Sequence, residues 1–300
     1  MQIIVLGAAA GGGFPQWNSN AAACNRARGG DPAAPARTQA SVAVSGNGTD
    51  WYVLNASPDL RQQIGATSEL HPAHGLRSTP IRGVVLTGGD VDAIAGLLTL
   101  REREAFDLYA TPRIHAILDA NPVFEVLARD VVARHGLQLD QPVELAGGLR
   151  IELFAVPGKV PLYMEQGAGM QAVVADETTV AAMLSHGERR VFYIPGCAAM
   201  PDWLKARLDG ADAVFFDGTL WADDEMLRAG LGTKTGQRMG HMSLSGPEGT
   251  IAALADVAIG KRVLIHMNNS NPVLLADSPE RAQAEAAGWI VSHDGMRMSP

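Results

Sequence analysis

Apolar and polar positions alternate along this chain in short blocks that predict β-strands mixed with short helices. The most informative block contains a buried strand, Val84–Leu86, then a Thr-Gly-Gly loop and a helix that includes Leu97 and Leu98. Two carboxylates, Asp90 and Asp92, lie in the loop where the strand ends. Side chains two residues apart in an extended loop point the same way, so these acids repel each other unless a proton or cation lies between them.

A helix N-cap is the alternative role for either aspartate, because an Asp side chain at that position accepts hydrogen bonds from free backbone N–H groups. One cap accounts for only one of the two acids. Paired carboxylates at a strand end are typical ligands of a hard or borderline metal ion. The loop therefore predicts a metal site, with capping as the alternative for one residue.

The remaining pattern repeats strands and strand–helix pairs in two β-rich halves. Gly46-Asn47-Gly48 predicts a hairpin, and Ser57 and Ser278 predict helix starts. The pattern also predicts helices at 123–134 and 243–255, a strand at 171–175 and an irregular stretch at 16–37. Two such halves favour an α/β (α+β) fold in which two sheets pack face to face with helices outside. No long linker separates the halves, so we expect one domain over residues 1–300.

Composition narrows the class of protein. The chain has 300 residues, 47% of them hydrophobic, and a net charge of −8. It has no Lys/Arg run to meet phosphates, which argues against a nucleic-acid partner. No apolar run reaches the roughly 18–20 residues that cross a bilayer. The apolar N-terminus lacks the basic residues of a signal peptide, so we expect a cytoplasmic protein with no membrane partner.

Cysteine content adds little. The two cysteines, Cys24 and Cys197, lie far apart in sequence, and their number does not indicate a disulfide-built secreted domain. Cys24 is either a lone metal ligand or a buried thiol.

Further ligand-type side chains occur at other predicted strand ends. Asp217 and His266 each follow an apolar strand directly, and His241 precedes a predicted helix. Such residues lie at the rim of a sheet, where sites are built. Each has a structural alternative, as a turn aspartate or a hydrogen-bonded polar histidine. The predicted substrate-binding residues are Lys159, Arg37, Arg61, Asn268, Asn269 and Ser270.

The segment from Thr87 to Gly96 resembles the motif T-H-x-H-x-D-H-x-x-G of the metallo-β-lactamase superfamily. The motif aspartate is present as Asp92, and the histidine positions are Gly88, Asp90 and Ala93. Two later ligands match Asp217 and His266, Pro157-Gly158-Lys159 resembles a Pro-Gly-His turn with lysine for histidine, and Gly240–Ser243 resembles the Gly-His-Ser element of RNA-processing members. The resemblance implies an αββα sandwich.

Longer stretches resemble a family of pyrroloquinoline quinone (PQQ) biosynthesis proteins from end to end. The stretches are Gly11–Asn18, Arg37–Gln39, Asn55–Asp59, Asp217–Trp221 and Ile265–Pro272. Members of this family carry Asp-His where this chain has Asp92-Ala93, and extra cysteines near Cys24. In this chain Ser19 and Ala21 leave Cys24 short of partners, so a structural zinc ion at Cys24 is not expected.

The departures from the motif indicate which metal chemistry remains. Without histidine at Gly88, Ala93 and Lys159, the first of the superfamily's two zinc sites is lost. The expected ligands are Asp92, Asp217 and His266, and Asp90 and His241 are expected to be further ligands or catalytic acid–base groups. Histidine and carboxylate ligands with open positions favour one divalent ion, Fe(II) rather than Zn(II).

The resemblance then implies that the protein is an iron-dependent oxygenase. Such an enzyme uses O₂ as co-substrate and hydroxylates the tyrosine ring of a Glu-Tyr-derived PQQ precursor. The partner is accordingly a small-molecule or dipeptide precursor of PQQ. Whether the chain forms a homodimer stays an open question. Two alternatives remain: a carrier that binds PQQ or its precursor, and a degenerate hydrolase with one metal ion.

Overall fold

The computed structural model describes residues 1–160, 162–164 and 173–300. In this part of the chain two mixed sheets of seven strands each share one hydrophobic core, with helices around them. This architecture confirms the predicted sandwich. The strands are β1 (Gln2–Gly7), β2 (Ser41–Ser45), β3 (Trp51–Leu54), β4 (Ile81–Val85), β5 (Phe106–Ala110), β6 (Val132–Gly136), β7 (Val143–Glu144), β8 (Arg150–Gly158), β9 (Val174–His186), β10 (Arg189–Ile194), β11 (Ala211–Asp217), β12 (Ile259–Ile265), β13 (Trp289–Val291) and β14 (Arg297–Met298).

The helices are short and connect or flank these strands. They are α1 (Ala22–Arg28), α2 (Leu60–Ala66), α3 (Val91–Ile94), α4 (Pro112–Asp119), α5 (Asp202–Leu208), α6 (Glu225–Arg228), α7 (Gly236–Met239), α8 (Thr250–Ala253) and α9 (Pro279–Ala286). Short 3₁₀ segments occur at Ser68–Leu70, Ala95–Leu100, Pro122–Val126, Ala146–Gly148, Leu162–Met164 and Pro272–Leu274. Within the described residues, no helix has the length and apolar character needed to cross a bilayer.

The strand order brings distant chain segments to one edge of the sandwich. The first sheet runs β14-β1-β2-β3-β4-β5-β6 and the second β13-β12-β11-β10-β9-β8-β7. Strands β10, β11 and β12 are parallel, and Asp217 at the end of β11 lies opposite Ile265 at the end of β12. An isolated bridge between Gly88 and Thr179 joins the loop after β4 to the second sheet. The strand ends that carry the predicted ligands therefore meet.

Two local predictions are confirmed. Strands β2 and β3 form an antiparallel hairpin around residues 46–48. The Ser278 side chain caps α9 by accepting a hydrogen bond from the Arg281 N–H.

Four other local predictions are wrong. Residues 123–134 form a 3₁₀ turn and then β6, which pairs with β5. Only Thr250–Ala253 of the predicted helix 243–255 is helical, because Gly246, at φ 88°, and Pro247 interrupt it. The Ser57 hydroxyl donates to Gln63 Oε1 and caps no helix. Residues 16–37 include helix α1.

The strand predicted at 171–175 lies partly outside the described residues. Strand β9 begins at Val174 and extends to His186, well past the predicted end. Its first half carries exposed or half-exposed polar residues, whereas Val180–Leu184 is an apolar and largely buried run that the sequence analysis did not assign to a strand.

Candidate metal centre

The loop after β4 is fixed by one asparagine. The Thr87 N–H donates to Asn55 Oδ1 at 2.8 Å, and Asn55 Nδ2 donates to Thr87 Oγ1 at 2.9 Å. Asn55 adopts a left-handed backbone, with φ at 59°. Such a conformation in a non-glycine residue persists where surrounding contacts determine it. The loop therefore enters α3 in a defined position, which places Asp92 in the first turn of that helix.

Asp92 contacts a histidine from the other sheet. Its Oδ2 lies 2.8 Å from His266 Nε2, and both side chains are mostly buried. His266 directly follows β12 and is also left-handed, with φ at 60°. Gly11 lies against the back of Asp92, where an added Cβ would be 3.5 Å from Oδ2. The two predicted ligands thus converge from opposite sheets.

Asp217 is fully buried behind this pair, and its carboxylate accepts four hydrogen bonds. Oδ2 accepts from the Cys197 N–H at 2.9 Å and lies 2.6 Å from His241 Nδ1. Oδ1 accepts from the Thr219 N–H at 3.0 Å and from the Thr219 hydroxyl at 2.6 Å. Three of these four contacts come from groups other than a ligand-type side chain, and the fourth is to the His241 ring.

Thr219 connects the two histidines. Its Oγ1 lies 2.9 Å from His266 Nδ1 and 3.1 Å from His241 Nδ1. The two imidazole rings are stacked, with centroids 5.3 Å apart and planes inclined by 21°. Sequence reasoning missed Thr219. Its position two residues after Asp217, in Asp-Gly-Thr, was the available signal.

His241 follows a glycine that ends a helix. Gly240 ends α7 with φ at 87°, a left-handed conformation that glycine adopts without steric cost. Gly196 lies beside the ring, where an added Cβ would make an ordinary van der Waals contact at 3.6 Å from His241 Cε1. Single ligand-type atoms of Asp217, His241 and His266 all lie within 4.8 Å of one another.

The donor set fits a metal ion. Bonds of about 2.0–2.2 Å place two ligands of one ion up to about 4.4 Å apart. Asp92 belongs to the same cluster through its contact with His266.

Interactions between the charged side chains of the cluster outweigh burial in setting their pKa values. Burial alone would raise the pKa of Asp92, but the hydrogen bond to His266 and the charge of that ring outweigh it and lower the pKa. Burial would lower the pKa of His266, yet the bond to Asp92 and the nearby carboxylates raise it. The pKa of Asp217 is lowered, because the charge and hydrogen bond of His241 outweigh burial. The cluster therefore keeps its carboxylates ionised.

A cavity of about 320 Å³ opens over the cluster. Asp92, His241 and His266 line it, as do the predicted Asp90 and Lys159. Asp90 occupies the N-cap position of α3, but its side chain makes no capping hydrogen bond. The other lining residues are Ala40, Asn55, Thr87, Gly88, Ala93, Val160, Thr178, Thr179, Val180, Pro195, Gly196, Lys234, Met239 and Gly240. Sequence reasoning missed Lys234, which no motif marks.

Two arginines predicted to bind substrate lie elsewhere and do not line this cavity. Arg37 is buried and donates to the backbone carbonyls of Pro35 and Ala36. Burial also lowers its pKa. Arg61 is exposed on α2. Arg37 thus supports its own loop and Arg61 faces solvent, and their role in substrate binding stays a prediction.

The polar loop after His266 forms hydrogen bonds within itself and to neighbouring loops. Asn268 donates to Ser270 Oγ at 2.6 Å, and Ser270 donates to Glu225 Oε1 at 2.6 Å. Asn269 donates to Gln16 Oε1. These side chains bind one another and neighbouring loops, and they do not line the cavity. Their contact with substrate stays a prediction.

Cys24 is a buried thiol in a polar contact. Its Sγ lies 3.7 Å from Asn269 Oδ1. Within the described ranges it belongs to no group of three metal-ligand side chains, and both cysteines are free.

The fold and its strand-edge cluster define a class of protein. Residues 50–267 match the model of the beta-lactamase superfamily domain. A diphosphatase of the PhnP family, at 19% identity and a TM-score of 0.71, has the same fold over 99% of this chain and 96% of its own. The protein is therefore a member of the metallo-β-lactamase superfamily.

Full-length relatives identify the family within this class. Coenzyme PQQ synthesis protein B of Gluconacetobacter diazotrophicus is 64% identical over 305 residues, covering 100% of this chain and 99% of the relative. The protein of the same name from Methylorubrum populi is 56% identical, covering 99% of each chain. The crystal structure of Zn(2+)-bound PqqB from Methylobacterium extorquens matches with a TM-score of 0.98 and 54% identity over all of both chains. The chain belongs to the coenzyme PQQ synthesis protein B family.

Proposed function

We propose that this chain is a non-haem Fe(II) oxygenase that hydroxylates the tyrosine ring of a Glu-Tyr-derived precursor of PQQ. The observation that carries the proposal is the convergence of Asp92, His241 and His266 on the wall of one cavity. Two histidines and one carboxylate with open positions form a typical ligand set of Fe(II) oxygenases. When bound, the ferrous ion supplies activation of O₂ beside the substrate.

The residues at the superfamily's other ligand positions support one ion rather than two. Gly88, Ala93 and Lys159 offer no imidazole where the motif has histidine. A two-metal hydrolase needs ligands for both ions. Zinc in the Methylobacterium extorquens relative supports a divalent-metal site of some kind. Our preference for Fe(II) rests on the donor set.

The cavity walls suit an amphipathic substrate. Val160, Val180 and Met239 offer apolar surface for an aromatic ring. Lys159 and Lys234 also line the cavity, and ammonium groups form strong hydrogen bonds with carboxylates. We infer that these lysines orient the carboxylates of the precursor. Asp90, on the same wall, is the candidate acid–base group.

The overall reaction needs a reductant. One atom of O₂ enters the ring, the other leaves as water, and an external two-electron donor such as ascorbate supplies the electrons. We propose that residues 1–300 act as one cytoplasmic domain on this small-molecule precursor, with a homodimer left open.

Oxygen uptake tests the proposal. The protein is purified anaerobically, stripped of metal, and reloaded with Fe(II) or Zn(II) before a Glu-Tyr dipeptide, ascorbate and O₂ are added. We expect O₂ consumption and a product heavier by one oxygen atom with Fe(II) only. An Asp92→Ala/His266→Ala double variant should be inactive. Unchanged turnover in that variant contradicts the proposal, and tight binding of PQQ without turnover indicates a carrier.

A further inference from the structure

The carboxylate of Glu225 lies between two loops that lead away from the candidate metal centre. Its Oε2 accepts hydrogen bonds from the Trp221 N–H at 2.7 Å and the Ala222 N–H at 3.0 Å, both in the loop after β11. Its Oε1 accepts from the Ser270 hydroxyl at 2.6 Å, in the loop after β12. One side chain therefore binds both loops.

We propose that Glu225 is a positioning residue of the metal centre. It fixes the loop after β12 against the loop after β11, and thereby holds His266 in place beside Asp217. Glu225 does not line the cavity over the cluster, so it acts through the two loops. The inference rests on the metal site of the proposed function, but not on its oxygen chemistry.

His266 needs such support because strand pairing ends before it. Asp217 lies opposite Ile265 in the parallel pair of β11 and β12, and His266 is the next residue. Its backbone is left-handed, with φ at 60°. A residue other than glycine keeps this conformation only where surrounding contacts determine it. The contacts of the loop that follows therefore control where the His266 ring lies.

Hydrogen bonds carry the constraint from Glu225 back to this loop. Ser270 Oγ, which donates to Glu225, also accepts from Asn268 Nδ2 at 2.6 Å. The Asn268 N–H in turn donates to the Thr219 carbonyl at 3.0 Å. The loop is thus tied to the loop after β11 at two points, one directly after His266 and one through Glu225.

The same carboxylate also supports the approach of the third loop. The Trp221 N–H is bound by Glu225, and the Trp221 carbonyl accepts from the Ser245 hydroxyl at 2.7 Å and the Ser245 N–H at 3.0 Å. Ser245 follows His241 in the chain by four residues. Glu225 therefore lies where the loops that carry Asp217, His241 and His266 are joined.

Burial of Glu225 argues against a role in packing alone. Glu225 is 8% exposed, and burial raises the pKa of its carboxyl group, against the hydrogen bonds from Ser270, Ala222 and Trp221. A buried carboxylate is stabilised only by the donors around it. An apolar side chain would fill the same space without that cost. The carboxylate thus indicates a role for its hydrogen bonds.

Cobalt(II) binding tests this role without any activity. Co(II) titration of the metal-free protein gives the affinity, and the visible spectrum of the bound ion reports the geometry of its ligands. Glu225→Ala removes all three hydrogen bonds. We expect about tenfold weaker Co(II) binding, the lower end of the usual effect of outer hydrogen bonds, together with a changed spectrum.

Glu225→Gln tests the hydrogen bonds themselves. The glutamine oxygen can accept from the two backbone N–H groups while its amide donates to Ser270, so most of the affinity should return. Asp212→Ala is the matched control. Asp212 lies near the other end of β11, where its carboxylate accepts from the Arg190 N–H at 2.8 Å. This variant should lose stability with Co(II) affinity and spectrum unchanged.

A double-mutant cycle isolates the bond between the loops. Ser270→Ala removes the hydroxyl that donates to Glu225 and leaves both backbone hydrogen bonds of Glu225 in place. We expect this variant to bind Co(II) more weakly than the wild type. Glu225→Ala/Ser270→Ala should bind no more weakly than Glu225→Ala, because residues that act through one shared bond have non-additive effects.

Several results overturn the inference. These are wild-type Co(II) affinity and spectrum in Glu225→Ala, equally weak binding by Glu225→Gln and Glu225→Ala, an equal loss in Asp212→Ala, or full additivity in the cycle. If Glu225→Ala does not fold, Ser270→Ala decides, and wild-type affinity in that variant overturns the role of Glu225.

Hydrogen exchange separates this inference from the proposed metal site. Failure of the wild type to bind Co(II) contradicts the metal site of the proposed function. Faster amide exchange at residues 267–271 of metal-free Ser270→Ala, with exchange near Asp212 unchanged, would still support the link between the loops. Unchanged exchange at residues 267–271 would overturn it.

Discussion

The two sheets contribute unequally to the candidate metal centre. The loop after β4 in the first sheet supplies one ligand candidate in contact with the cluster, Asp92, and has Gly88 and Ala93 at two histidine positions of the superfamily motif. The second sheet supplies His241 and His266, each held from behind by buried groups. The comparison teaches that ligand-type side chains are kept at the second-sheet positions of the superfamily motif, whereas two first-sheet histidine positions carry Gly88 and Ala93.

Removing a histidine of the second sheet should have the largest effect on metal binding. His266→Ala deletes the ring that joins Asp92 to the second sheet. We expect metal affinity, measured by competition with a chromophoric chelator, to fall more than about 100-fold, beyond the usual range for outer hydrogen bonds. His293→Ala is the control, because His293 is exposed and lies outside the cavity wall. Equal metal affinities of the two variants would show that His266 does not belong to the metal site.

Restoring a histidine in the first sheet should show whether the missing motif ligands limit metal affinity. Ala93 lines the cavity beside Asp92, so Ala93→His places an imidazole at the motif position. We expect about tenfold tighter metal binding, equivalent to about 1.4 kcal/mol. Turnover should fall, because the new ring fills an open position. Ala40→His, on the same cavity wall but away from the motif, serves as the comparison; if it tightens binding equally, motif geometry is not the cause.

Gly240 tests how the second sheet holds the lysine. An added Cβ would lie 2.8 Å from Lys159 Cγ, and φ is 87°. Gly240→Ala should cost about 1–2 kcal/mol of unfolding free energy from backbone strain and raise KM by displacing Lys159. Gly230→Ala carries similar strain at φ 65° but meets nothing within 4 Å. It should therefore lose stability with KM unchanged, and a matching rise in KM would refute the role of Lys159.

The smallest effect should be the pH dependence of metal-free stability. The raised pKa of His266 adds stability at low pH that is lost as pH rises through that raised value. The lowered pKa of Asp92 adds stability at higher pH that is lost as pH falls through that lowered value. Urea midpoints should thus be highest between the two pKa values. His266→Gln should flatten the alkaline side, and an unchanged profile would contradict the coupling.

Sequence patterns predicted the two-sheet sandwich and the approach of Asp217 to His266, because both follow from where the strands end. Apolar runs before Asp217 and His266 locate β11 and β12, whose parallel pairing brings the two residues to one edge. Side-chain contacts between distant segments could not be predicted from the sequence. The four polar contacts of Asp217 and the cavity position of Lys234 depend on side-chain geometry. The polar loop at 268–270 has the same composition whether it binds substrate or neighbouring loops.

The central claim is that one divalent ion binds at the cavity wall between the two sheets. Anaerobic Fe(II) titration of metal-free protein, followed by calorimetry and metal analysis, tests it most directly. We predict one ion per chain in the wild type and none in His266→Ala under the same conditions. Two ions per chain, or one ion retained by His266→Ala, would contradict the account.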